Sequence, residues 1–287
     1  MATRQGQALG RLAVAPAVGA LAVWSIVPLA LAIYYAFLHY RLDDPDNTFF
    51  AGWSNFYYFF TDPFFTKDLF NTVGLVFLVL VITIVGGVLL ALLLDRPMWG
   101  QGLVRVMVIS PFFIMPTVSA LVWKNLMMHP VYGFLAHLWK SVGLEPLDWF
   151  AKIPLFSVGI IVGWQWLPFA TLILLTALQS LDLEQKDAAA MDGAGATDYF
   201  RYITLPHLMR PITVVILIET IFLLNVFAEI KVTSVGGLAG NLTYLVFSQL
   251  NDANDVGEAA AGGLVAVVLA NIVSAFLVRI VGRNLEV

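Results

Sequence analysis

The sequence predicts an all-α polytopic membrane protein of six transmembrane helices, with both termini on the cytoplasmic side. Three observations lead there. Hydrophobic residues make up 60% of the 287 and charged residues 12%, against roughly 45–50% and 25% in a soluble domain. The apolar residues gather into six runs, near Leu12–Leu38, Phe70–Leu94, Val104–Leu126, Ile153–Leu178, Ile212–Ile230 and Ala259–Val281, each close to the roughly 20 residues that cross a bilayer. Lysine and arginine divide nine to six in favour of the side that carries the N-terminus, the bias of cytoplasmic loops. Residues 1–287 read as one membrane domain.

Composition excludes several classes. A net charge of −4 carries no basic excess, so nucleic acid is not a partner. Without cysteine there is no disulfide, thiolate metal site or cysteine nucleophile. His39, His129, His137 and His207 are scattered, so no metal site is expected. No phosphate-binding loop, nucleophile elbow or dinucleotide fingerprint occurs, and catalytic residues are therefore expected to be absent.

Along the chain, Arg4 and Arg11 precede a first run that extends to Phe37, past the 7–15 residues of a signal core, which makes it an uncleaved anchor. The aromatic-rich stretch Asn47–Phe70 reads as a helix along the membrane interface, with direct solute contact as the alternative. Pro111 and Pro116 predict a kink or unwinding in the third run. In the fourth, Trp164 and Gln165, followed by Trp166 and Pro168, set polar and aromatic groups at membrane depth. In the fifth, Glu219, Phe222, Asn225 and Glu229 share a sector of about 120° if the run is one helix. Such a face suits a polyhydroxylated solute, whose hydroxyls meet the polar groups and whose C–H faces stack on rings. The same groups could equally bond neighbouring helices and only fix packing. Thr233–Gly237 reads as a flexible outer turn, and Lys124 and Lys231 as residues that snorkel to water.

One stretch outside the runs is too elaborate for a plain connection. Between the fourth and fifth runs, Asp182 caps a short helix with Gln185 as capping-box partner. Ala188, Ala189 and Ala190 favour helix, and Gly193 takes the left-handed conformation at the bend. Thr197 caps a second short helix before Pro206 and Pro211 interrupt it.

These residues carry a resemblance. Asp187-Ala188-Ala189-Ala190-Met191-Asp192-Gly193-Ala194, followed by Ile203-Thr204-Leu205-Pro206, resembles the cytoplasmic EAA loop of ABC importer permeases, with Asp in place of the first Glu. Phe227–Gly237 is similar to the fifth-span exit of the carbohydrate branch, with Leu238 where that branch has proline. Asp255–Gly263 with Leu269–Val273 resembles sorbitol and mannitol permeases. The resemblance implies a coupling helix within loop 179–211, with Glu184, Asp187, Ala188, Ala189, Asp192, Gly193, Ala194, Leu205 and Pro206 at the ATPase contact. It also implies a bacterial cytoplasmic (inner) membrane location, a second permease subunit, two ATPase subunits that hold the ATP and Mg²⁺, and a periplasmic or lipid-anchored solute-binding protein. No cofactor is expected in this chain itself, and its outer partner is membrane lipid.

The expected activity is ATP-driven uptake of a sugar alcohol or sugar by alternating access. The expectation of a neutral solute rests on the absence of Lys or Arg near the middle of any run. Two other readings stay open: an ion-coupled secondary transporter with Glu219 or Glu229 as proton site, and a permease for another sugar derivative, including an anionic one. A non-transporting assembly factor fits poorly with acidic groups at membrane depth.

Overall fold

The structure, a computed structural model, describes residues 4–285, with side chains except at 4–12, 183, 186, 277 and 280–285. The side chains of Arg4, Arg11, Lys186 and Arg283, used in the charge count above, lie outside the described residues. Helix α1 spans Arg4–Ala36, and strands β1 (Leu38–His39) and β2 (Phe49–Phe50) follow. Next come α2 (Ser54–Thr61), α3 (Phe65–Asp95), α4 (Gln101–Ile109) and α5 (Pro116–Val122). The chain continues through α6 (Phe134–Ser141), α7 (Trp149–Lys152), α8 (Pro154–Gln179), α9 (Leu183–Met191) and α10 (Ala196–Tyr199). It ends with α11 (Leu205–Leu223), α12 (Ala228–Thr233), α13 (Gly236–Ala239), α14 (Leu242–Asn251) and α15 (Val256–Leu285).

Among the described residues, five stretches are long and apolar enough to cross a membrane: Ala13–Ala36, Phe65–Asp95, Pro154–Gln179, Ala196–Leu223 and Val256–Phe276. A sixth exists only if Gln101–Phe113 and Pro116–Met127, bent by 107° at the break between them, count as one span. The expected kink at Pro111 and Pro116 is thus a right-angled break. Pro111 starts a 3₁₀ turn, Ile114 and Met115 are extended, and Pro116 opens the next helix, where its missing N–H costs nothing.

The chain forms two compact units, one from residues up to Phe65 with Leu245–Val268, the other from Thr66–Tyr244 with the chain from Leu269. In the smaller unit, Leu38 pairs with Phe50 and His39 with Phe49. Buried Asn55 donates Nδ2 to Ala36 O (2.9 Å) and Leu38 O (2.7 Å), satisfying the last carbonyl of α1 and one of β1. Arg41 pairs with Asp43 at 2.9 Å and by that hydrogen bond holds the Asp43 carboxyl below its usual range. Exposed pairs are screened and contribute little. The durable ties are backbone bonds, Leu42 N to Asn254 O and Val256 N to Tyr40 O. The aromatic stretch is not one interfacial helix. It is a strand, the short helix α2 and the start of α3, with Trp53, Tyr57, Tyr58 and Phe60 exposed and Phe59 buried.

The larger unit has its core where α3, α8 and α11 meet. Val88, Ala91 and Leu94 pack on Leu174, Leu175, Leu178, Leu208 and Ile212. Leu75, Val76 and Val79 pack on Val158, Val162, Leu223, Val226 and Ile230. Gly159 and Gly163, one turn apart, let α3 approach α8 closely. A Cβ at Gly159 would lie 2.3 Å from Leu78 Cδ2, and one at Gly163 would lie 2.9 Å from Ile82 Cγ2 and 3.3 Å from Ile82 Cβ. Small residues at such spacing are the usual device of helix packing in lipid, where tight contact replaces the hydrophobic drive. Leu78 can rotate aside, whereas Ile82 is β-branched and stiff. Gly163→Val should therefore destabilise the purified protein by about 1–3 kcal/mol, read as a lowered thermal midpoint in detergent. Ile82→Ala in the same chain should recover part of the loss. An unchanged midpoint in Gly163→Val would show that the helices are not in close contact there.

Candidate functional site

The loop between α8 and α11 is closed almost wholly by its own backbone. Asp182 caps α9 by accepting from Glu184 N at 3.1 Å. The capping box expected with Gln185 is not what forms, since Gln185 gives only its backbone N–H to Asp182 O. At the other end Gly193 N bonds Ala190 O (3.1 Å) and Ala194 N bonds Ala189 O (3.0 Å). With Gly193 at φ 78°, this is a Schellman closure. Glu184, Asp187, Ala188, Asp192, Gly193 and Ala194 are exposed, while Ala189 is buried. Ala189 lies between two hollows of about 450 and 380 Å³. Leu92, Asp95, Arg96, Gly195, Tyr199 and Phe200 help line the larger one, and Ala188, Asp192, Asp198 and Tyr202 the smaller.

Two expectations for this loop are corrected. Gly195, not Thr197, stands at the cap of α10. Pro206 and Pro211 do not interrupt the following helix. Leu205 and Pro206 open α11, where an N–H is dispensable, and Pro211 is carried inside it. A π turn over Phe200–Thr204 joins α10 to α11, so the loop runs directly into the span.

The second set of candidate residues divides. The fifth run is not a single helix to Ile230: α11 ends at Leu223, and Asn225 N and Val226 N turn back onto Phe222 O and Leu223 O. Periodicity cannot carry a face across such a break, so the four residues do not share one. Glu219 and Glu229 are buried (0% and 4% exposed), whereas Phe222 and Asn225 are exposed. Glu219 Oε2 accepts from Thr83 Oγ1 of α3 at 2.6 Å, and its Oε1 is buried without a hydrogen-bond partner among the described residues. Asn225 Nδ2 donates to Ile221 O, and the Phe222 ring lies 5.2 Å from Trp166.

On α8, half-buried Trp164 meets Trp123 edge-on at 5.7 Å. Gln165, 6% exposed, donates Nε2 to Ile114 O at 2.6 Å. Thr233–Gly237 is not a flexible turn: Val235 is buried, Gly236 abuts the Tyr244 ring, and Thr233 Oγ1 donates to Glu229 O. Lys124 is half-buried and reaches the end of α12. Its Nζ donates to Val232 O (3.1 Å) and Ser234 Oγ (3.4 Å) at the end of α12.

Residue pattern did not point to Thr83, Ile114, Asn241 or Thr243. Asn241 Nδ2 donates to Val226 O (2.5 Å) and Thr243 Oγ1 to Leu224 O (3.1 Å), satisfying the carbonyls freed after α11. The signals available in the sequence were the two prolines of the third run and the small-residue repeat Gly159–Gly163.

Long apolar helices, one of them broken, joined by a small-residue loop, are the build of a multi-pass integral membrane protein. The chain belongs to the family of binding-protein-dependent transport system inner membrane components, whose pattern matches residues 98–287. It is 29% identical over 272 residues to the trehalose/maltose transport system permease protein MalF of Thermococcus litoralis, covering 94% of this chain and 91% of that one. It is 28% identical over 283 residues to the sulfoquinovosyl glycerol transport system permease protein SmoG of Agrobacterium fabrum, covering 95% and 90%. A solved structure of a bacterial alginate ABC transporter, in complex with alginate pentasaccharide-bound periplasmic protein, superposes with a TM-score of 0.81 at 20% identity, over 96% of this chain and 94% of that one. At that identity the likeness shows the fold.

Thr83→Val should leave the buried Glu219 carboxyl without its hydroxyl partner and lower stability by about 1–2 kcal/mol, with Thr83→Ser restoring it. Equal thermal midpoints for Thr83→Val and the unaltered protein would mean that Glu219 is held by something else.

Proposed function

We propose that this chain is one permease subunit of an ATP-driven importer in the bacterial inner membrane, with both termini cytoplasmic, that moves a sugar or sugar alcohol by alternating access. The loop carries the reading. Glu184, Asp187, Ala188, Asp192, Gly193 and Ala194 stand exposed on a turn closed by its own hydrogen bonds, so a partner can press on it without unfolding it. Leu205 and Pro206 at the head of α11 pass that displacement into the span. In this scheme a second permease completes the path, two ATPase subunits carry ATP and Mg²⁺, and a periplasmic or lipid-anchored binding protein delivers the solute. ATPase closure draws the loops of the two permeases together and opens the path outward, and hydrolysis reverses it.

For the solute, Trp164, Gln165, Glu219, Phe222, Asn225 and Glu229 remain the proposed path residues. Phe222 and Asn225 are the exposed members, hence the first to meet a solute. Glu219, Glu229 and Gln165 are buried and would act only after a rearrangement. A neutral polyol or sugar is favoured because Lys124 and Lys67 already donate to Val232 O and Gly237 O. An anionic glycoside is the second reading, and it is supported by the likeness to a sulfoquinovosyl glycerol permease; the cation would then come from the second permease.

Two measurements test this. Gly193→Val puts a β-branched side chain at φ 78°, at a cost of about 1–2 kcal/mol, while a Cβ there meets nothing within 4 Å. Uptake by the assembled complex should fall at least tenfold with membrane insertion intact, and Gly193→Asn, which tolerates the left-handed region, should retain most of it. Normal uptake by Gly193→Val would remove the loop from coupling. Transport-stimulated ATPase of the complex should rise with mannitol, sorbitol or hexoses. Stimulation by sulfonated or phosphorylated sugars alone would replace the neutral reading with the anionic one.

A further inference from the structure

The break between α4 and α5 is held from one side. On α8, within six consecutive residues, Trp164 meets Trp123 beyond the break, Gln165 bonds Ile114 in the break, and Trp166 and Phe169 meet Phe112 just before it at 5.7 and 5.9 Å. The aromatic contacts are adaptable, since rings slide over one another at small energetic cost. The Gln165 bond is directional and short. It also supplies the donor that Ile114 O lost when the chain left helical geometry, and an unsatisfied carbonyl is costly in an apolar surrounding.

The joint is not fully satisfied. Gln165 Oε1 and, one turn into α5, Ser119 Oγ are both buried without hydrogen-bond partners among the described residues. A joint whose groups were all paired would have every reason to stay as it is. Two polar atoms at the joint thus keep hydrogen-bonding capacity that a second angle between the arms would be able to use.

We infer that Gln165 is the positioning residue of a hinge: its amide N–H sets the angle between the two arms of the broken helix, and with it the placement of Phe112 and Trp166, whose ring lies against Phe222. This rests on the transport reading, because the placed rings border the proposed solute path. While buried, Gln165 thereby acts through Ile114, ahead of any solute contact that a rearrangement would bring.

The chain contains no cysteine, so spin labels can be placed at Val106→Cys on α4 and Leu121→Cys on α5, both exposed, in the assembled complex with cysteine-free partners. Gln165→Met keeps size and removes the donor. Without solute, the population outside the main distance should rise on the order of 3- to 10-fold, the Boltzmann factor of one net hydrogen bond. Maximal uptake should fall by a similar factor with KM within twofold, and Gln165→Asn, which keeps the donor but withdraws it by one methylene, should fall between. If Gln165→Met does not assemble, Gln165→Asn carries the same distance test. An unchanged distance distribution with raised KM would make Gln165 a solute ligand and overturn the hinge while leaving the transport reading intact. Unchanged distances and unchanged uptake would overturn it as well. If the complex took up no carbohydrate at all, the transport reading would fail, and the distances in the solute-free complex would still decide the hinge.

Discussion

In an apolar medium a backbone carbonyl that leaves its helix has no water to turn to, and the larger unit is arranged around that constraint. Its chain departs from helical geometry after Phe113, after Leu223 and after Thr233. At each departure a polar side chain from elsewhere arrives as donor. Gln165 reaches Ile114 O, Asn241 and Thr243 reach Val226 O and Leu224 O, and Lys124 reaches Val232 O. Asn71 and Lys67 do the same for Gly240 O and Gly237 O. Polar residues in a membrane helix invite a functional reading, yet many of those here satisfy backbone first.

This changes how acidic groups at depth are understood. Glu219 and Glu229 are not two points on one solute-facing stripe. A helix end separates them, and both are turned inward, away from the exposed Phe222 and Asn225. A buried carboxyl tied to a threonine of the neighbouring span fixes the register of α11 against α3. Such a group becomes available to a solute only when helices move.

The loop between α8 and α11 meets the opposite requirement. It leaves its acidic side chains exposed and closes itself by backbone bonds and the Asp182 cap. Alanine and glycine at its bend keep the surface low, and the hollows on either side of Ala189 follow from that absence of side-chain bulk.

Class, the long apolar helices α1, α3, α8 and α15 and the loop were legible in the residues, because hydropathy over some twenty positions and the capping chemistry of Asp182 and Gly193 are local properties. The expected runs at Phe70–Leu94 and Ile153–Leu178 differ from α3 and α8 by a few residues at their ends. The prolines marked the break at Ile114 for the same reason. What local chemistry could not decide was where a helix would end without proline or glycine to stop it. Nothing between Leu223 and Phe227 forbids continuation, and where α11 ends, Asn241 and Thr243, further along the chain, supply donors to the carbonyls of Val226 and Leu224 just beyond it. Tertiary structure likewise decided that Gln165 faces a broken backbone, that Lys124 binds a helix end and that Glu219 meets Thr83. A hydrogen bond joins two atoms in space, and spacing along one segment contains no information about the segment that supplies the other atom.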